Sequence, residues 1–212
     1  MISKTAWLGI VAGMLLAASD FAAAQGDSWY IAGNLGASFA NDSDNTQMGF
    51  TVTSEFDTGV IASVAGGHTF GGFRAEGELA YIQNDVSSLE AFGTSLDATG
   101  DVGVTALMAN VYYDFNTDSK WKPYIGAGIG YSNISIDNLG ASGVVIADDS
   151  AGAFAYQLKA GIGYAFTDSL DGTLGYRFFG TADADFVDTS GFQFNSDGLQ
   201  TNIIEIGVRY RF

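Results

Sequence analysis

Few residues in this chain have the type and spacing to do chemistry. His68 is the sole histidine and has a hydroxyl neighbour in Thr69. A His–Thr pair could support acyl transfer if a third group oriented the base. Adjacent residues of a strand point to opposite faces, so this spacing separates the pair. Asp42, Asp44, Asp183, Asp185 and Asp188 offer oxygen ligands to a hard cation such as Ca²⁺. A calcium-binding loop starting at Asp42 would need glycine at its sixth position and glutamate at its twelfth, where Gln47 and Thr53 stand instead. Gly126-Ala127-Gly128-Ile129-Gly130 superficially matches a phosphate cradle, but no helix and no Lys-Ser/Thr pair follows it. Asn-Ile-Ser at 133–135 fits a glycosylation acceptor, a pattern common by chance. With no cysteine, disulfides, thiolate metal sites and cysteine nucleophiles are excluded. No catalytic residue, cofactor site or metal site is expected.

The elements that would hold such groups alternate with period two. In 154–166, Phe154, Tyr156, Leu158, Ala160, Ile162, Tyr164 and Phe166 oppose small or polar residues that include Gln157 and Lys159. At the C-terminus Ile204, Ile206, Val208, Tyr210 and Phe212 oppose Glu205, Gly207, Arg209 and Arg211. The same pattern predicts strands over 29–40, 58–70, 73–81, 104–115, 121–131 and 170–179, eight in all, paired in sequence order with 199–212 closing onto 29–40. Each has roughly the 9–11 residues of a tilted spanning strand.

The connections alternate short and long. Gly71-Gly72, 116–120 and 167–169 are hairpin-sized, whereas 41–57, 82–103, 132–153 and 180–198 are long and polar. This is the layout of an antiparallel up-and-down transmembrane β-barrel with short periplasmic turns and long extracellular loops. The even strand number would place both termini in the periplasm. Residues 1–24 have a positive start at Lys4, an apolar run from Ala6 to Ala18 and Ala22–Ala24 for cleavage. We therefore expect a signal peptide over 1–24 and one barrel domain over 25–212.

A lipocalin-like barrel would turn its charges outward. Here glycines share the charged face, which suits a crowded interior. Aromatic residues also gather at two levels: Phe70, Phe73, Phe115, Trp121, Phe166 and Phe212 toward one rim, Phe39, Tyr81, Tyr131 and Phe154 toward the other. The apolar face is therefore turned to lipid. Arg74, Glu76, Glu78, Lys159, Asp171, Arg177, Glu205 and Arg209 are turned into the lumen, with Arg177 and Glu205 expected to pair. His68 falls on the lipid face near the short-turn rim.

Charge is distributed unevenly. The chain has 24 Asp+Glu against 8 Lys+Arg, a net charge of −16. Fifteen of those acids, among them Asp42, Asp44, Asp148, Asp149, Asp183, Asp185 and Asp188, lie in the four long connections, which hold no Lys or Arg. Nucleic acid is thus excluded as a partner, since phosphate must be met by clustered bases. A cationic ligand, or divalent cations bridging to lipopolysaccharide, would fit this surface.

Four stretches, FRAEGEL at 73–79, ANVYYDF at 109–115, PYIGAG at 123–128 and GVRYRF at 207–212, resemble the small bacterial outer-membrane β-barrel family that includes opacity-type surface antigens and porin-like proteins. The resemblance spans nearly all of the chain after residue 24. It implies an outer-membrane location and contacts with outer-membrane lipid. It also implies that Tyr210 and Phe212 act as the signal for the barrel-assembly machinery. A structural or surface-interaction role through extracellular loops is expected. A small diffusion channel and, remotely, a lipid-modifying enzyme are the alternatives.

Overall fold

A computed structural model describes residues 27–40, 43–47, 50–56, 58–91, 94–141, 144–187, 193–196 and 198–212. The expected signal segment, Asp42 and Asp188 lie outside them. Twelve strands form among the described residues: β1 Trp29–Ala40, β2 Ser43–Gln47, β3 Phe50–Phe56, β4 Gly59–Phe70, β5 Phe73–Ala91, β6 Thr94–Asp114, β7 Trp121–Ala141, β8 Val144–Ala165, β9 Leu170–Thr181, β10 Ala184–Val187, β11 Gln193–Ser196 and β12 Gln200–Arg211.

Eight of them close the barrel in the ring order β1-β4-β5-β6-β7-β8-β9-β12, every pair antiparallel. The first and last strands join along the ladder from Tyr30↔Arg211 to Ala40↔Thr201. Closure is what hydrocarbon demands, because it leaves no backbone N–H or C=O unpaired at a sheet edge. Gly71, with φ +60°, sits first in the two-residue turn between Phe70 and Phe73, where a II′ turn requires positive φ. Thr167 Oγ1 accepts from the Ser169 and Leu170 amides at 3.3 and 3.0 Å and folds the turn before β9.

The four long connections are not loops beyond short strands. β5, β6, β7 and β8 run 19, 21, 21 and 22 residues, about twice the expected length. Their ladders continue to Ala91↔Thr94 and Ala141↔Val144, and β2–β3 and β10–β11 form further hairpins. Polarity had marked these stretches as loops. In water, however, a strand needs no apolar face, and runs such as Val144-Val145-Ile146 favour extended backbone.

The outer face is apolar: Leu107, Ile129, Leu158 and Ile206 are 66, 60, 58 and 64% exposed. Rings ring the turn end, with contacts Trp29–His68, Phe73–Tyr113, Trp121–Tyr164 and Tyr210–Phe212 at centroid distances of 4.8, 5.1, 4.7 and 5.2 Å. Phe39, Tyr131 and Phe154 stand exposed toward the hairpin end. From Phe154 to Tyr164 a tilted strand climbs about 25 Å, the height of a membrane barrel's apolar band.

Candidate functional site

The lumen is filled at three levels. At the turn end lie Arg74, Glu76, Asp114, Asp171, Arg209 and Arg211. Arg74 binds Asp114 through two parallel bonds, Nε to Oδ2 at 2.8 Å and Nη2 to Oδ1 at 3.0 Å. Arg209 donates to Asp171 Oδ2 from Nη2 at 2.8 Å and lies 3.6 Å from Asp114. Arg211 also donates to Asp171. Glu76 accepts from Tyr30 Oη at 2.9 Å, Tyr112 Oη at 2.8 Å and Asn110 Nδ2 at 3.1 Å. The Arg74 guanidinium lies 4.1 Å from the Tyr112 ring centroid, with Tyr30 and Tyr124 further round it.

One level up, two acids and two bases from four strands alternate in a ring. Arg177 Nη2 lies 2.6 Å from Glu78 Oε1 and 2.7 Å from Glu205 Oε2. Lys159 Nζ lies 3.3 Å from Glu78 and 3.4 Å from Glu205. Glu78 accepts further bonds from Asn110 Nδ2 at 2.8 Å and Gln157 Nε2 at 2.9 Å. Arg177 is fully buried, and its Nε and Nη1 have no partner among the described residues. Each level is neutral, two against two here and three against three below, as buried charge requires.

Room for these groups comes from glycine on neighbouring strands. A Cβ at Gly126 would meet the Tyr112 ring, and one at Gly128 would meet Asn110 Oδ1. The glycine run that superficially matched a phosphate cradle is therefore the floor on which Tyr112 and Asn110 lie. Around Arg74, Lys159 and Arg209 the remaining cavity is ≈ 30 Å³.

Above the charge ring the lumen turns apolar. Ile61, Ile82, Val104, Met108, Phe179 and Ile203 pack together there, none more than 2% exposed. Beside them Ser38 bonds Thr201 at 2.8 Å and donates to Asn84 at 3.0 Å.

All eight residues expected in the lumen point into it and are buried. Arg177 and Glu205 meet directly, and Asp171 joins Arg209 rather than that pair. Tyr30, Asn110, Tyr112, Tyr124, Asp114, Gln157 and Arg211 were not assigned to the network; Asn110 and Tyr112 share the strand parity of Asp114, Tyr124 that of Lys122, Gln157 that of Lys159 and Arg211 that of Arg209, whereas β1 carries no charge to mark Tyr30. The apolar level was not anticipated at all. Tyr210 and Phe212 pack at the turn end, where the Phe212 amide donates to Trp29 O at 3.0 Å. His68 is wedged between Trp29 and Phe70 on the lipid face. Of the loop acids, Asp183 is exposed and accepts from the Gly198 amide at 3.0 Å, while Asp44, Asp148, Asp149 and Asp185 lie on β2, β8 and β10. Among the described residues no group of His, Asp and Glu is arranged to hold a metal ion.

A closed barrel with an apolar exterior, two aromatic belts and a charged interior defines the class of outer-membrane β-barrels. The chain belongs to the outer membrane protein beta-barrel domain family, which it matches over residues 8–212. It is 27% identical over 213 residues to a candidate adhesin of Rickettsia bellii, covering 93% of this chain and 89% of that protein. It is 27% identical over 135 residues to opacity protein opA68 of Neisseria gonorrhoeae, covering 51% and 52%. The chain spans about half the length of that relative and of uncharacterised Brucella abortus proteins, 47% in the latter case. Among solved structures, Neisserial surface protein A superposes with a TM-score of 0.60 at 20% identity, covering 89% of this chain and all of that one. The outer membrane is therefore its location.

Proposed function

We propose that this barrel is a non-conducting, non-enzymatic anchor that presents its acidic hairpins to a cationic partner outside the cell. The observation that carries this reading is the filled lumen. Among the described residues two charged levels and an apolar one fill the lumen, which leaves the hairpins as the surface open to a partner. The four connecting segments 41–57, 82–103, 132–153 and 180–198 carry fifteen acids and no Lys or Arg. Beside anionic lipopolysaccharide such a surface favours basic ligands or bridging divalent cations and repels acidic glycans and nucleic acid. The adhesin and opacity-protein relatives support a surface role. The packing of His68 among lipid-facing rings argues against the enzymatic alternative. The charge ring would fix the barrel's cross-section, and Tyr210 and Phe212 would serve barrel assembly.

A titration of the refolded chain with polylysine tests the surface reading. Binding should weaken steeply as salt rises, and the triple variant D183N/D185N/D188N should bind less at low salt. Polylysine binding no stronger than that of a barrel trimmed of its hairpins would contradict it.

A further inference from the structure

Among the described residues the hairpins extend the barrel's own ladders beyond the membrane in seven of its eight seams. The seam between β8 and β9 is the exception. Its ladder ends at Ala155↔Thr181, and the last bond across it runs from the Ala182 amide to Phe154 O at 2.8 Å. Above that point β8 continues to Val144, paired with β7 on one side only among the described residues. β10 stands beside it but, among the described residues, forms a ladder with β11 alone.

The cause is local. The strand breaks at Ala182–Asp183, and the break is tied toward the opposite neighbour. Asp183 Oδ1 accepts from the Gly198 amide at 3.0 Å, and Thr181 Oγ1 accepts from the Leu199 amide at 3.0 Å. The break is thereby bonded to the residues that lead into β12, and β10 beyond it runs alongside β8 without joining its ladder among the described residues. Among the described residues the edge of β8 from 144 to 153 joins no ladder on this side, the usual template for strand addition.

We propose that this edge of β8 accepts an extended, lysine- or arginine-bearing segment of an external polypeptide as an added strand. The proposal rests on the surface reading above and names the mode of contact. Charge selects the occupant. Asp148 and Asp149 lie on the open edge itself, Asp183 and Asp185 lie on the facing segment, and no base is present on either. The same charges oppose edge-to-edge pairing with a second copy of this chain, which would bring like charges together. Entry requires the β10–β11 hairpin to move outward by about one strand spacing, ~5 Å.

Full-length chain in lipid nanodiscs, probed with two blocked alternating Lys-Thr peptides of equal charge, tests this. One peptide is unmodified and the other is N-methylated at alternate peptide bonds, which removes the donors of a ladder. The unmodified peptide should bind about tenfold more tightly, the equivalent of one or two backbone hydrogen bonds. It should also slow amide exchange within 144–153. Equal affinity for the two peptides, or protection appearing only elsewhere, would overturn strand addition while leaving the acidic surface reading intact. Failure of both peptides to bind at low salt would overturn both.

Discussion

The two halves of the lumen solve one problem by different physics. Toward the turns, five bases and five acids fill the barrel in neutral clusters. Toward the hairpins, Ile82, Val104, Phe179 and Ile203 do so by packing. The charged half is fastened across the barrel: Glu78 on β5 binds Arg177 on β9, and the two strands are not neighbours in the ring. The apolar half gains its stability chiefly from burial, beside the small hydrogen-bonded group of Ser38, Asn84 and Thr201. A defect in the first therefore strands charge in a low-dielectric interior, whereas a defect in the second leaves a void. The boundary between them runs at Arg177, whose Nε and Nη1 lack a partner among the described residues.

Substitutions can break or sharpen this contrast. The largest effect is expected at the charge ring. Glu78→Leu leaves Arg177 and Lys159 sharing Glu205 alone, and should destabilise the refolded barrel by about 3–5 kcal/mol in urea unfolding. Adding Arg177→Met to it should recover much of that loss, because the pair's removal abolishes the stranded charge. A double variant as unstable as the sum of the singles would remove the contrast. In the apolar half Ile203→Ala should lose about 2–4 kcal/mol, with no partner substitution able to restore it. Gly126→Ala forces a methyl against the Tyr112 ring and should lose about 1–3 kcal/mol, unless Tyr112 is shortened with it. The smallest effect belongs to D183N/D185N/D188N. Its stability should stay within about 0.5 kcal/mol of the parent while salt-dependent polycation binding falls.

The charged half was legible in the sequence because polarity contrasts sharply there. Arg74, Glu76 and Glu78 alternate with Ala75, Gly77 and Leu79, so parity alone turns them inward. Between 102 and 108 no such contrast exists. Val102, Val104, Ala106 and Met108 face the lumen, while the alternate positions Gly103, Thr105 and Leu107 carry no charge to mark either face. Period-two reasoning also assigns a face but no position round the barrel. It could join Arg177 to Glu205 on adjacent strands, yet it gave no means to bring Glu78 across to Arg177. The hairpins were misjudged as loops because a strand in water on both faces carries no hydrophobic signature.

The central claim is that both halves together seal the barrel, leaving the hairpins as its working surface. Planar-bilayer recording of the refolded wild-type chain tests it most directly. Insertion without steady conductance steps is the expected result. Stable open-channel steps from the wild-type barrel would contradict the account.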